Sequence, residues 1–141
     1  MPATTTFAPA LSFVRVDADN GEATLIGSRC AACAVVLVGT RMACPACHER
    51  GSLERITLGG VGTLQTWSIV HRSFPGVKTP FIAAVVELEG GGALKGTLRG
   101  VEPDPSRLRL GLLVSVGFED TGQRDKEGRA LICYYFEGAA P

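Results

Sequence analysis

Histidine is scarce in this chain: there are two in 141 residues, alongside one tryptophan and two tyrosines. The sequence has no Ser-His-Asp order, no histidine cluster of the kind that activates a metal-bound water, and no G-x-S-x-G turn. Nucleophilic and acid–base catalysis need a reactive group, a base within reach and a third group to orient it. No complete set is present, so no catalytic residue is expected and the chain is read as no enzyme on its own. Excess charge is also lacking. Fourteen Lys+Arg face fourteen Asp+Glu, five of each sign in residues 1–70 and nine of each in residues 71–141. Phosphate neutralisation supplies much of the affinity of nucleic-acid binders, so this balance argues against nucleic acid as the main partner. No apolar run approaches the ~18 residues of a membrane span. Residues 1–10 (MPATTTFAPA) carry neither the basic nor the apolar region of a signal peptide. The expectation is a cytoplasmic protein with no membrane partner, where cysteines stay reduced and signify metal binding or chemistry rather than disulfides.

What the chain does have is glycine. Its 18 glycines are nearly twice the average share of ~7%, and they punctuate short apolar runs. That pattern predicts tight turns and an all-β fold. Residues 1–10 are read as a flexible arm. Leu11–Val16 and Ala23–Gly27 flank the turn dipeptide Asn20-Gly21 and predict a β-hairpin. After position 60 come five strand-like segments: Gly62–Arg72, Phe81–Leu88, Ala93–Arg99, Leu112–Phe118 and Arg129–Phe136. Phe81–Leu88 is apolar on both faces for most of its length, as a central strand would be. Asp120–Gly128 reads as a solvent loop, and Glu102–Ser106, with Pro103 and Pro105, holds at most a turn. Five strands with glycine-rich corners fit a small closed or partly open barrel, and closure removes exposed strand edges. The expected division is an arm over 1–10, a hairpin and ribbon over 11–55, and a five-stranded OB-fold barrel over 56–138.

The strongest motif is Cys30-x2-Cys33-x10-Cys44-x2-Cys47. Two such knuckles place four thiolates around one tetrahedral ion, and the intervening run Val35–Val38 fits the hairpin of a zinc ribbon. Iron is the rival metal, since sulfur ligands alone do not choose between the two. With all four positions filled by sulfur no site is open to substrate, so the ion is structural: one zinc per chain, supplying folding free energy. Cys133, flanked by Ile132 and Tyr134, reads as a buried inert thiol. His48, directly after Cys47, reads as an exposed knuckle residue. Residues 71–80 hold His71, Arg72 and Lys78 and no acid, a modest anion-attracting loop. Gly59-Gly60-Val61-Gly62 lacks the spacing of a phosphate-binding loop.

The order of these features is specific. The double knuckle is followed by Gly59-Gly60-Val61-Gly62-Thr63-Leu64, by Trp67-Ser68-Ile69-Val70-His71, by Thr79-Pro80-Phe81-Ile82 and by Val85-Val86-Glu87-Leu88. Over about residues 25–136 the chain resembles the acyl-CoA-associated family that joins a rubredoxin-like zinc ribbon to an OB-fold. The resemblance implies a non-catalytic auxiliary subunit of a thiolase-fold partner, either a thiolase or a lipid-transfer-protein-like aldolase. The implied assembly is a two-plus-two hetero-tetramer that binds acyl-CoA, cleaves or forms a C–C bond, and keeps the nucleophilic cysteine in the partner. The expected CoA-ester or partner surface is His71, Arg72, Phe74, Lys78 and Phe81. An exposed apolar patch is also expected, drawn from Phe7, Phe13, Leu37, Val38, Phe74 and Phe81. Many members open with an amphipathic helix, whereas residues 11–27 here read as strands. The alternative from another class is a single-stranded nucleic-acid binder, which would need a basic groove with stacking aromatics.

Overall fold

The computed structural model describes residues 6–138. Ten strands follow one another: β1 (Phe7–Pro9), β2 (Val14–Val16), β3 (Ala23–Cys30), β4 (Val36–Val38), β5 (Leu53–Thr57), β6 (Val61–Val70), β7 (Phe81–Leu88), β8 (Ala93–Arg99), β9 (Leu113–Arg124) and β10 (Ala130–Gly138). Among the described residues the one helical segment is a 3-10 turn at Pro105–Arg107, capped by Asp104, whose side chain accepts the Ser106 N–H. The all-β expectation therefore holds.

The chain divides into two compact units. One comprises the residues up to Leu58 with Phe118–Tyr134; the other comprises Gly59–Gly117 with the residues from Tyr135 onward. The sequence reading divided the chain at 10/11 and at 55/56. The difference arises because β9 and β10 are long enough to contribute to both units.

In the first unit β2 and β3 form the expected hairpin, with Val14 opposite Leu25 and Val16 opposite Ala23. The connection is a six-residue loop rather than a two-residue turn. Asp17 Oδ1 accepts the N–H groups of Asp19 and Asn20, and Asn20 Oδ1 accepts that of Glu22. Such side-chain acceptors replace ladder bonds and stabilise the turn. β3 continues as the centre of the ribbon, with β4 on one side of its second half and β5 on the other. Gly27 sits at this crossing. A Cβ there would collide with the Leu58 side chain and lie 2.6 Å from the Leu37 carbonyl oxygen, so the close approach requires glycine. Ser28, 1% exposed, donates to the Gly39 carbonyl at 2.6 Å and leaves no orphan polar group. Phe7–Pro9, expected within a flexible arm, instead forms β1 and pairs in parallel with Ala130–Ile132 of β10. Its burial pattern, with Ala8 at 4% exposure, explains why it is tied down; residues 1–5 of that arm lie outside the described residues.

The second unit carries the barrel strands. The sheet order is β1-β10-β8-β7-β6-β9, with β9 also pairing β10. That extra pairing closes five strands on themselves and leaves β1 as an added sixth. β8 and β10 run parallel while β6–β7, β7–β8 and β6–β9 are antiparallel. This is the five-stranded OB topology the sequence suggests. Leu64, Ile82, Ala84, Val86, Leu88, Leu98, Val114 and Phe136 are all 3% exposed or less and form its core. Gly62 of the glycine cluster admits the neighbouring strand: a Cβ there would strike the Glu87 carbonyl oxygen and lie 2.7 Å from Val86 Cγ1. The β6–β7 register shifts at Gln65, between Leu64 and Thr66, a bulge that bends β6 around the barrel. The loop expected over Asp120–Gly128 is shorter than predicted. β9 extends to Arg124, and the turn closes on Asp125, whose carboxylate accepts the Arg129 N–H at 2.8 Å.

Candidate functional site

The two knuckles are conformational copies. The Cys30 N–H donates to the Val35 carbonyl and the Cys44 N–H to the Glu49 carbonyl, both at 2.9 Å. The Ala34 N–H returns to Cys30 O and the His48 N–H to Cys44 O, both at 2.8 Å. Ala34 and His48 adopt φ of +66° and +67°, the left-handed conformation that turns the following amides back toward the sulfurs. Each knuckle thus buries its first cysteine, with Cys30 and Cys44 both 1% exposed, and leaves its second nearer solvent.

The four sulfurs Cys30, Cys33, Cys44 and Cys47 lie within 4.8 Å of one another. Cys30 Sγ is 3.6 Å from Cys47 Sγ, and Cys33 Sγ is 3.6 Å from Cys44 Sγ. A disulfide needs about 2.05 Å, so none is formed. Four sulfurs at about 2.3 Å from a central zinc form a tetrahedron with edges of about 3.8 Å; the two 3.6 Å pairs are close to that, and all the pairs stay within 4.8 Å. The donor set therefore fits a tetrahedral thiophilic ion with no fifth position. The electrostatics point the same way. The Ser52 hydroxyl and the Cys33 amide lower the Cys30 thiol to about 6. The amide of Glu49 acts to lower Cys47, but burial and the sulfurs of Cys30, Cys44 and Cys33 outweigh it and push that thiol up to about 12. Crowded thiolates repel, and a divalent cation relieves that repulsion. His48 is exposed and lies outside the cluster, as expected. Cys133, expected to be buried, is half-buried and also lies outside it.

The other predicted residues gather in one place. The β6–β7 connection, residues 71–80, exposes His71, Arg72, Phe74 and Lys78, and Phe81 opens β7 half-buried. Phe74 is 83% exposed and starts a turn in which the Val77 N–H donates to the Phe74 carbonyl at 3.1 Å and Gly76 takes φ +90°. Pro75 before a positive-φ glycine is the pattern of a type II turn. Lys78 and Phe81 line a groove of about 510 Å³ with Val77, Leu98, Arg99 and Val101. His71, Arg72 and Phe74 do not line it. Arg99 is a residue that sequence reasoning missed; its guanidinium stands 4.4 Å from the centre of the Tyr135 ring. The signal was available in β8, where Lys95, Thr97 and Arg99 alternate against buried Leu94 and Leu98. Of the apolar patch expected from six residues, Phe7, Phe13, Leu37, Val38 and Phe81 are half-buried and Phe74 alone is exposed. Phe13 is taken up by packing against Tyr134, with ring centres 5.6 Å apart. Among the described residues no helix is long and apolar enough to cross a membrane.

A double cysteine knuckle ahead of a closed five-stranded barrel defines a ribbon-plus-OB class of protein. Comparison with known proteins places the chain within that class. A family model described as ChsH2, C-terminal OB-fold domain, matches residues 56–119. A "DUF35 domain-containing scaffold protein" of Methanothermobacter thermautotrophicus is 30% identical over 115 residues, covering 80% of this chain and 84% of that protein. The chain belongs to this DUF35 scaffold family. A solved structure, "Ltp2-ChsH2(DUF35) aldolase", matches with a TM-score of 0.64 and 25% identity, over 83% of this chain and 86% of that one. A "Probable enoyl-CoA hydratase alpha subunit" of Thermomonospora curvata is 33% identical over 93 residues; the match covers 64% of this chain and 28% of that longer protein.

Proposed function

We propose that this chain is a non-catalytic auxiliary subunit of a thiolase-fold enzyme complex that acts on acyl-CoA thioesters. The observation that carries the reading is the four-sulfur cluster joined to an OB barrel like that of the Ltp2-ChsH2(DUF35) aldolase. A fully thiolate-ligated ion polarises no substrate, so a chain built around one supplies scaffold and surface, and the partner supplies the nucleophile. The partner is a thiolase or a lipid-transfer-protein-like aldolase in a two-plus-two assembly within the cytoplasm, and the bond made or broken is C–C. Cys30, Cys33, Cys44 and Cys47 hold one structural zinc per chain. When bound, that ion supplies the free energy that orders the ribbon, on the order of 10–16 kcal/mol for small zinc modules at neutral pH. Residues 11–55 act as the ribbon module and 56–138 as the OB module.

The CoA-ester side of the proposal rests on the 71–80 loop and the groove beside it. The groove's volume lies within the range of small-molecule sites, and Lys78 and Arg99 set two cations among apolar neighbours. Those groups suit an anionic phosphate and the uncharged arm that follows it. His71 and the exposed Phe74 sit on the same loop and suit the partner surface, where aromatic side chains carry much of the binding energy, while the exposed Arg72 adds a cation beside the groove for the CoA phosphates.

The test is reconstitution of the complex from purified chains. This chain alone is expected to leave acyl-CoA substrates unchanged, and the two chains together to turn them over. Arg72→Ala and Lys78→Ala should raise KM for the CoA ester with the assembled complex intact. Turnover by this chain alone, or unchanged KM in both variants, would refute the respective parts of the reading.

A further inference from the structure

The two knuckles match bond for bond until Ser52. In the second knuckle the residue after the first cysteine is Pro45, which has no N–H to place. In the first knuckle the corresponding residue is Ala31, and its N–H donates to the Ser52 carbonyl at 2.8 Å. The Ser52 hydroxyl lies 3.3 Å from Cys30 Sγ, and the Cys33 amide reaches the same sulfur at 3.5 Å. A thiolate has no proton to give, so when Cys30 is a metal ligand the serine must donate. Ser52 is half-buried and immediately precedes β5, whose Leu53 pairs with Cys30 in the ribbon sheet. One residue thus grips the first knuckle twice, by its backbone and by its side chain. Among the described residues no side-chain hydroxyl reaches Cys44 Sγ.

We propose that Ser52 is a positioning residue of the metal centre: its hydroxyl holds the buried Cys30 sulfur in place and keeps the first knuckle set for the ion. This rests on the assignment of zinc to the four sulfurs. Groups that hydrogen-bond to metal ligands fix ligand orientation, and their loss costs about 10–100-fold in metal affinity. The second knuckle obtains rigidity from Pro45 instead, which predicts an unequal response to mutation of the two halves of a site whose backbone is otherwise symmetric.

The experiment compares the full-length wild type with Ser52→Ala, Ser52→Thr and Ser52→Val. Zinc content is measured first, then zinc retention against a chromophoric chelator, then the sulfur-to-metal charge-transfer band of the cobalt-substituted protein. The wild type should hold one zinc. Ser52→Ala should fold, hold zinc about 10-fold more weakly and show a shifted cobalt band. Ser52→Thr keeps the hydroxyl and should stay near wild type, while its near-isostere Ser52→Val should behave as the alanine variant does. If Ser52→Ala fails to fold, the threonine–valine pair decides. Equal retention in those two variants, or an unshifted cobalt band in Ser52→Ala and Ser52→Val, would overturn the role of Ser52 with the metal site left standing. A wild type that takes up no metal would overturn the metal assignment and the role of Ser52 with it.

Discussion

Ala34 and His48 offer a stability test whose sign is set by the backbone. Both are L-residues held at positive φ, +66° and +67°, at equivalent positions of the two knuckles. The left-handed conformation costs an L-residue roughly 1–2 kcal/mol, and glycine escapes that cost. Glycine brings its own penalty of about 0.5–1 kcal/mol through the entropy of the unfolded chain. The balance favours glycine, so Ala34→Gly and His48→Gly should each stabilise the protein by about 0.5–1 kcal/mol. Both side chains are exposed, so little packing is lost in either change. Ala32→Gly is the control: Ala32 is also exposed but is not at positive φ, so the same substitution there should destabilise by about 0.5–1 kcal/mol. Ala34→Val adds β-branching to the left-handed site and should destabilise most of the set. Chemical unfolding of metal-loaded protein measures all four differences. The reasoning is refuted if Ala34→Gly and Ala32→Gly shift stability in the same direction by similar amounts.

Other consequences are direct. Cys44→Ser removes a buried ligand and should abolish stoichiometric zinc and unfold the ribbon, seen as lost β-signal in circular dichroism and as loss of the partner on gel filtration. Phe136→Ala empties a fully buried position in the barrel and should cost about 3–5 kcal/mol in denaturant unfolding. Gly117→Ala would drive a Cβ into the Tyr135 ring and should destabilise the wild type but be largely tolerated in a Tyr135→Ala background, a coupling that a double-mutant cycle reads. At Asp125 burial acts to raise the carboxyl, but the Arg129 N–H, the Arg129 side chain and the Glu127 N–H together hold it below its ordinary 3.8. A depressed folded pKa contributes stability above the unfolded value that is lost as pH falls through the folded one. Asp125→Ala should therefore narrow its stability gap to wild type only below about pH 4, in unfolding curves taken across acid pH.

Much of this architecture is written in local chemistry. The strand Phe81–Leu88 and the strand Ala93–Arg99 lie where the alternation and the glycines put them, because apolar periodicity and turn residues act within a few residues of each other. The four cysteines were legible for the same reason: knuckle spacing is a local constraint, and the ion needs both knuckles. The failures are non-local. Phe7–Pro9 reads as a polar arm, and only the distant Ala130–Ile132 edge makes it a strand. The end of β9 is polar and exposed on both faces, so no hydrophobic pattern marks it; pairing with β10, to which the Thr121 hydroxyl adds a bond to the Leu131 carbonyl, carries it on. Arg99 becomes a groove residue only because β8 comes to lie beside the 71–80 loop. Ser52 carries no motif at all; the fold brings its hydroxyl to Cys30 across 22 residues.

The central claim is that this chain works as a subunit rather than alone. The measurement that tests it most directly is affinity purification of the tagged chain from its own host, with mass spectrometry and light scattering on the eluted species. The account expects a thiolase-fold protein in stoichiometric amount, in an assembly of two copies of each chain. A folded, zinc-loaded chain that elutes by itself would contradict it.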